Sequence, residues 1–120
     1  MTMSEYDFKI QNKIEDRVKM STNILYKYSY KIPVIIEKKN SDKSRHILDK
    51  NKYIMSSDLT LGSVIYIIRK RLNLNPSEAI FIFVDNVLLP NTMVISDIYR
   101  QYKDPDGFLY IMYACENTFG

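Results

Sequence analysis

Few side chains in this chain of 120 residues could carry out chemistry by themselves. The only histidine is His46 and the only cysteine is Cys115, far apart along the chain. A cysteine becomes a nucleophile when an imidazole activates it. Here the histidine sits in a polar stretch, so a surface histidine and a packed or tail cysteine are the expected roles. One thiol and one imidazole are too few soft ligands for a zinc site, and neither a metal nor a cofactor is expected. The three glycines, Gly62, Gly107 and Gly120, are isolated, so there is no phosphate loop and no dinucleotide fingerprint. Ten tyrosines among lysines could stack on single-stranded nucleic acid, but most fall at helix-packing positions or on strand faces. Gly120 is the remaining candidate. A residue without Cβ tolerates unusual backbone angles and leaves its carboxyl unhindered. On its own it is more simply the end of a flexible tail.

The elements that must position such groups fit one domain with a single core. The basic excess is small and N-terminal: residues 1–60 hold twelve Lys and Arg against eight Asp and Glu, and residues 61–120 hold five against six. That is a solvated face rather than a nucleic-acid footprint. With one cysteine no intramolecular disulfide can form, so a reducing compartment is expected. Charged residues break up the first thirty positions, leaving no signal-peptide hydrophobic region, and no later run is long enough to span a bilayer.

Apolar residues Ile10, Ile14, Val18, Leu25 and Tyr28 recur near helical spacing between Ser4 and Tyr28, and Ser21, Thr22 and Asn23 interrupt them, which predicts two short helices. A β-branched strand over Lys31–Lys38 ends in a polar turn at Lys39–Arg45, and a second extended run from Lys50 to Ser56 closes a hairpin with it. Leu61, Val64, Ile65, Ile68 and Leu72 mark a helix behind Thr60 as N-cap, stopped by Asn73, Asn75 and Pro76. Ala79–Val84 is apolar on both faces and predicts a buried strand in mid-sheet, followed by a turn at Asp85-Asn86 and a short strand over Val87–Leu89. A helix from Ser96 to Tyr102, a turn at Asp104–Gly107 and a last strand over Phe108–Tyr113 complete the order, before a polar tail.

Strand, strand, helix, strand, short strand, helix, strand is the β-grasp order of ubiquitin-like folds: an α+β class with a four-stranded mixed sheet, here with two additional N-terminal helices. Two blocks at the C-terminus, Asp104-Pro105-Asp106-Gly107-Phe108-Leu109-Tyr110 and Glu116-Asn117-Thr118-Phe119-Gly120, closely resemble the autophagy-related protein eight family, which includes the GABARAP-type proteins. Upstream, Lys31–Lys38, Asp49–Tyr53, Ser57–Gly62, Ile68–Leu72 and Phe81–Asn86 resemble further blocks in the family's order. Ile14-Glu15-Asp16-Arg17 looks like a weakened form of the family's aromatic-acid-x-Arg helix. The resemblance runs from about residue 14 to the C-terminus, and the first dozen residues carry no such block.

The resemblance implies a helical extension over 1–28 packed on the core, a β-grasp core over 29–114 and a flexible conjugation tail over 115–120. It implies that Gly120 is adenylated, carried as a thioester by an activating and a conjugating enzyme, and joined to phosphatidylethanolamine, with a cysteine protease able to cleave the lipid amide. Two acyl chains would then anchor a domain that has no spanning helix. The modifier itself would need no catalytic residue and would be no enzyme. It would be a cytoplasmic monomer in solution, held on autophagosomal or other organelle membranes when lipidated.

By the same resemblance, the strand at Lys50–Met55 is an exposed edge to which cargo receptors carrying an aromatic-x-x-aliphatic motif add a strand. Ile24, Pro33, Lys52, Ile54 and Phe108 would form the aromatic pocket. Tyr53, Met55, Ser56, Leu59, Val64 and Ile67 would form the aliphatic one. Lys31, Lys50 and Arg71, with Lys52, would attract acidic residues of the motif. Ser56 stands where the family often has proline, Val64 where it often has phenylalanine, and Tyr30 where an acidic residue is frequent. The first two changes imply an altered preference in the second pocket. The alternative is a non-conjugated ubiquitin-like scaffold or trafficking adaptor that binds proteins only.

Overall fold

The computed structural model describes residues 6–115. Two helices, α1 (Asp7–Gln11) and α2 (Ile14–Lys27), precede strands β1 (Lys31–Lys38) and β2 (Lys52–Ser56), then α3 (Leu61–Leu72), β3 (Phe81–Phe83), α4 (Ile95–Tyr102) and β4 (Leu109–Ala114). The sheet runs β2-β1-β4-β3. β1 and β4 pair in parallel at its centre, from Val34 opposite Leu109 to Lys38 opposite Tyr113, while β2 and β3 pair antiparallel on the outside. This is the mixed four-stranded sheet of the ubiquitin-like β-grasp.

Helices cover both faces of the sheet, so its central strands read as almost continuous apolar runs. On one face Val34, Ile36, Leu109, Ile111 and Tyr113 meet Leu61, Val64, Ile68 and Leu72 of α3 in the main core. On the other, Ile35, Phe108 and Tyr110 meet Phe8 and Ile24 of the N-terminal helices. α3 starts and stops where its residue types require. The Thr60 hydroxyl accepts the Ser63 N–H, and Asn73 leaves the helix in the left-handed conformation at φ 55°.

Three expectations need correction. β3 lies at the edge of the sheet, not in its middle, because two-sided burial reflects covered faces rather than two neighbours: Ile82 faces the main core while Phe81 and Phe83 pack beside Met112 and Ala114 on the other side. Val87–Leu89 forms no strand; Val87 makes one isolated bridge to Val84 across the turn at Asp85 and Asn86.

The third correction concerns the N-terminal helices. α2 continues through Ser21, Thr22 and Asn23, and the break falls at Asn12 and Lys13. The stripe of Ile10, Ile14, Val18, Leu25 and Tyr28 faces outward, whereas Ser21, only 2% exposed, is the contact. Its hydroxyl bonds the Val18 and Asp106 carbonyls at 3.1 and 2.6 Å. The helix approaches the Asp106–Gly107 backbone so closely that a Cβ on Gly107 would lie 2.4 Å from Ser21 Oγ.

Candidate functional site

The outer face of β2 meets α2, and the five residues expected to form the aromatic pocket are grouped there. β2 alternates exposed Lys52 and Ile54 with buried Tyr53 and Met55. Pro33 stands opposite Ile54, and Ile35 opposite Lys52, on β1. Ile35 packs with Ile24 and Phe108, so Ile24, Pro33 and Phe108 lie beneath a rim of Lys52 and Ile54. The Lys52 ammonium reaches the Met20 sulfur at 4.0 Å. In this state the base is closed: Ile54 is 41% exposed, but Ile24 is 8% and Phe108 0% exposed. Admitting a large ring requires Ile54, Lys52 and α2 to give way.

Of the aliphatic set, Tyr53, Met55 and Val64 belong to the main core, while Ser56, Leu59 and Ile67 remain half-buried at the surface between β2 and α3. Cations surround this edge. Lys50 and Arg71 lie over the Tyr53 ring at 5.0 and 5.4 Å, Arg71 also pairs with Asp49 at 3.5 Å, and Lys31 donates to the Ser56 hydroxyl at 3.0 Å. β2 has β1 on one side and, among the described residues, no strand on the other. Its free edge can accept an added strand.

Phe108 and α2 are held by a carboxylate that the sequence showed only as part of a turn. Asp106 takes the Arg17 guanidinium on Oδ2 at 2.8 Å, the Tyr110 hydroxyl on the same oxygen, and the Phe108 N–H on Oδ1 at 2.9 Å. The Asp106 side chain is fully buried and that of Arg17 nearly so. Burial, then the Asp106 carboxylate, pushes the Tyr110 phenol well above its ordinary value, so it stays a donor. Gly107, at φ 91°, closes the turn where an L side chain would be strained and would strike Ser21. Lys9 adds an ion pair to Asp104.

At the other end of β4, Asp42, 2% exposed, receives the Ser44 N–H on Oδ1 and the Cys115 N–H on Oδ2, both at 2.8 Å. Burial opposes ionisation, but these N–H groups outweigh it and hold the carboxyl below its ordinary range. The Tyr113 hydroxyl donates to the His46 carbonyl and accepts the Leu48 N–H, each at 3.0 Å; burial raises that phenol to about 12. His46 Nε2 lies 2.7 Å from Glu78 Oε2, so the imidazole is occupied with a carboxylate. Burial and the nearby Asp42 raise the Cys115 thiol, opposite to what a nucleophile needs. Among the described residues no group of three His, Cys, Asp or Glu could hold a metal ion, and no helix is long and apolar enough to cross a membrane. Gly120 and the rest of the expected tail beyond Cys115 lie outside the described residues.

A family model described as autophagy protein Atg8, ubiquitin-like, matches residues 16–120. The chain belongs to the Atg8 family. It is 47% identical over 118 residues to autophagy-related protein 8A of Oryza sativa subsp. indica, covering 98% of each chain. It is 51% identical over 114 residues to autophagy-related protein 8 of Neurospora crassa, covering 94% of this chain and 93% of that one. Its structure is similar to a crystal structure of Trypanosoma brucei ATG8, with a TM-score of 0.89 and 33% identity, covering 98% of this chain and 100% of that one. The chain is thus an Atg8-family ubiquitin-like protein of autophagy. Three residues that shape its site, Ser21, Asp42 and Asp106, were not foreseen as contacts. Asp106 carried a signal in its Asp-Pro-Asp-Gly turn; Asp42, in a polar loop, carried none.

Proposed function

We propose that this Atg8-family protein is a modifier joined through Gly120 to the amine of phosphatidylethanolamine, and that on the membrane it recruits receptors carrying aromatic-x-x-aliphatic motifs. The observation that carries the first part is that the family match runs through Gly120 itself. The activating and conjugating enzymes supply the catalytic groups. This chain supplies an unhindered carboxyl, with the lipid's two acyl chains supplying the anchor. It is no enzyme in this reading: burial raises its single thiol, opposite to what a nucleophile needs, and its imidazole is engaged. A cysteine protease would release it again by cleaving the lipid amide.

The free edge of β2 supports the second part. A receptor segment adding to it would gain backbone hydrogen bonds and seat its aromatic residue between Ile54, Lys52 and α2, over Ile24, Pro33 and Phe108. Its aliphatic residue would meet the half-buried Ser56, Leu59 and Ile67, with Tyr53, Met55 and Val64 behind them. Lys31, Lys50 and Arg71 would favour acidic flanking residues and speed encounter. The protein would act as a cytoplasmic monomer until lipidated.

Intact-mass analysis of protein taken from its native cells under autophagy-inducing conditions tests the conjugation. A phosphatidylethanolamine adduct on Gly120, absent after Gly120→Ala, is the expected result. Only unmodified wild-type protein would reject it.

A further inference from the structure

We propose that Asp42 is a positioning residue for acyl transfer at Gly120, anchoring the point where the reactive tail leaves the sheet. The proposal rests on the conjugation reading above. β4 ends at Ala114, opposite Phe81 of β3. The next N–H, that of Cys115, turns to the Asp42 carboxylate at 2.8 Å. The loop that carries Asp42 closes round the end of β4 through two more contacts: the Lys39 N–H donates to the Tyr113 carbonyl at 2.8 Å, and the Tyr113 hydroxyl holds the His46 carbonyl at 3.0 Å. This loop forms a collar, and Asp42 is the part of it that grips the residue beyond the strand.

The choice of an acid is specific to the task. Two N–H groups, from Ser44 and Cys115, point at two oxygens. An ionised carboxylate accepts at both, whereas an amide in the same place would turn an NH2 towards one of them. Burying a charge for this purpose is unfavourable unless its oxygens are well satisfied, and ending a strand does not by itself require a buried acid. Gly120 is the fifth residue after Cys115, a span of at most about 17 Å when fully extended. The direction of the backbone at Cys115 therefore restricts the volume in which the Gly120 carboxyl meets its reaction partners.

In the final transfer the lipid amine nitrogen bonds to the Gly120 carbonyl carbon, the carbon–sulfur bond of the conjugating-enzyme thioester breaks, and the amine proton goes to the departing thiolate. Asp42 touches none of these atoms. It acts before these atoms meet, by setting the course of the backbone at Cys115 so that less freedom is lost when the enzymes take up the tail.

The test uses the full chain in two arms. In the free protein, amide hydrogen exchange at Cys115 should speed up at least about tenfold in Asp42→Asn, the mark of a lost protected hydrogen bond. With activating and conjugating enzymes and phosphatidylethanolamine vesicles, the same variant should raise KM for charging of the conjugating enzyme by about tenfold, with kcat far less affected. Binding of an aromatic-x-x-aliphatic peptide at β2 should not change. Cys115→Pro removes the N–H and leaves Asp42 in place; proline also keeps Ala114 extended, as it already is, so this second variant should show the same KM effect should Asp42→Asn fail to fold. Unchanged exchange at Cys115 in Asp42→Asn would overturn the anchor. Faster exchange with unchanged KM would overturn the positioning role and leave conjugation standing. A wild-type chain that yields no adduct would overturn the conjugation reading, and this proposal with it.

Discussion

The two ends of β4 each hold a buried carboxylate, and they hold it differently. At the start of the strand Asp106 accepts one local N–H, that of Phe108, but is matched besides by a cation and a phenol, drawn from a helix that begins some ninety residues earlier and from β4 itself. At its end Asp42 is matched by backbone N–H groups of its own loop and of Cys115. The first arrangement fastens one element to another, α2 to the sheet beneath the peptide face. The second sets the course of a single backbone segment. Losing the cation strands a charge, whereas losing the amide partners loosens a loop, so the two ends should respond to mutation in different measures and by different readouts.

The largest effect is expected from Arg17→Ala, which leaves Asp106 buried without its cation. A loss of about 3 kcal/mol in urea-induced unfolding, together with weakened peptide binding because α2 no longer holds Ile24 against Phe108, would express the tertiary role of this end. A loss below about 1 kcal/mol would show that the comparison is wrong. Next is Gly107→Ala, which forces an L side chain at φ 91° and pushes a methyl into Ser21. It should cost about 1–3 kcal/mol, and Ser21→Ala in the same chain should recover only part, since the Ser21 Cβ stays 3.0 Å from the added carbon.

Asp42→Asn should cost less, about 1–2 kcal/mol, and should also alter the pH dependence. The folded state holds the Asp42 carboxyl below its ordinary value of 3.8. As pH falls the unfolded chain therefore takes up this proton first, so the stability Asp42 contributes is full above about pH 4 and is lost as pH drops through the folded-state value. Urea titrations between neutral pH and pH 3 should show a steeper acid decline in the wild type than in Asp42→Asn; parallel curves would remove the carboxylate from the account. The smallest effect on stability is expected from Lys52→Ala with Ile54→Ala, both exposed, at within about 0.5 kcal/mol per site. Calorimetric affinity for an aromatic-x-x-aliphatic peptide should nonetheless fall about tenfold, the loss expected of contact residues at a small interface; an unchanged affinity would move the site away from this face.

Much of the fold could be read from the chain because its signals are local. β1 occupies Lys31–Lys38 as its β-branched run and polar turn predict, and α3 carries its own cap, stripe and stop. What failed depended on distant partners. The both-sided apolarity of β3 records covered faces and says nothing about how many strands flank it. Ser21 looked like an interruption because its partner is a carbonyl 85 positions away, and the apolar residues round it look inward on a helical wheel but outward in the molecule. The aromatic-pocket residues came from the family resemblance. Spacing alone favours the core for Ile24, Ile54, Leu59 and Ile67; Ile24 is sealed there in this state, whereas Ile54 is exposed.

The parallel pairing of β1 with β4 also bears on how the chain is made. Residues 34–38 find their central partners only at 109–113, so during synthesis β1 and β2 form only a two-stranded hairpin, and the inner side of α3 lacks its partners on β4 until residues 109–113 have emerged. A hairpin of this kind is marginal in water on its own, and contacts so distant in sequence form slowly. The unfinished chain therefore passes through a stage with an open strand edge and exposed apolar surface, the form most prone to aggregate, and its solubility during translation depends on how briefly that stage lasts.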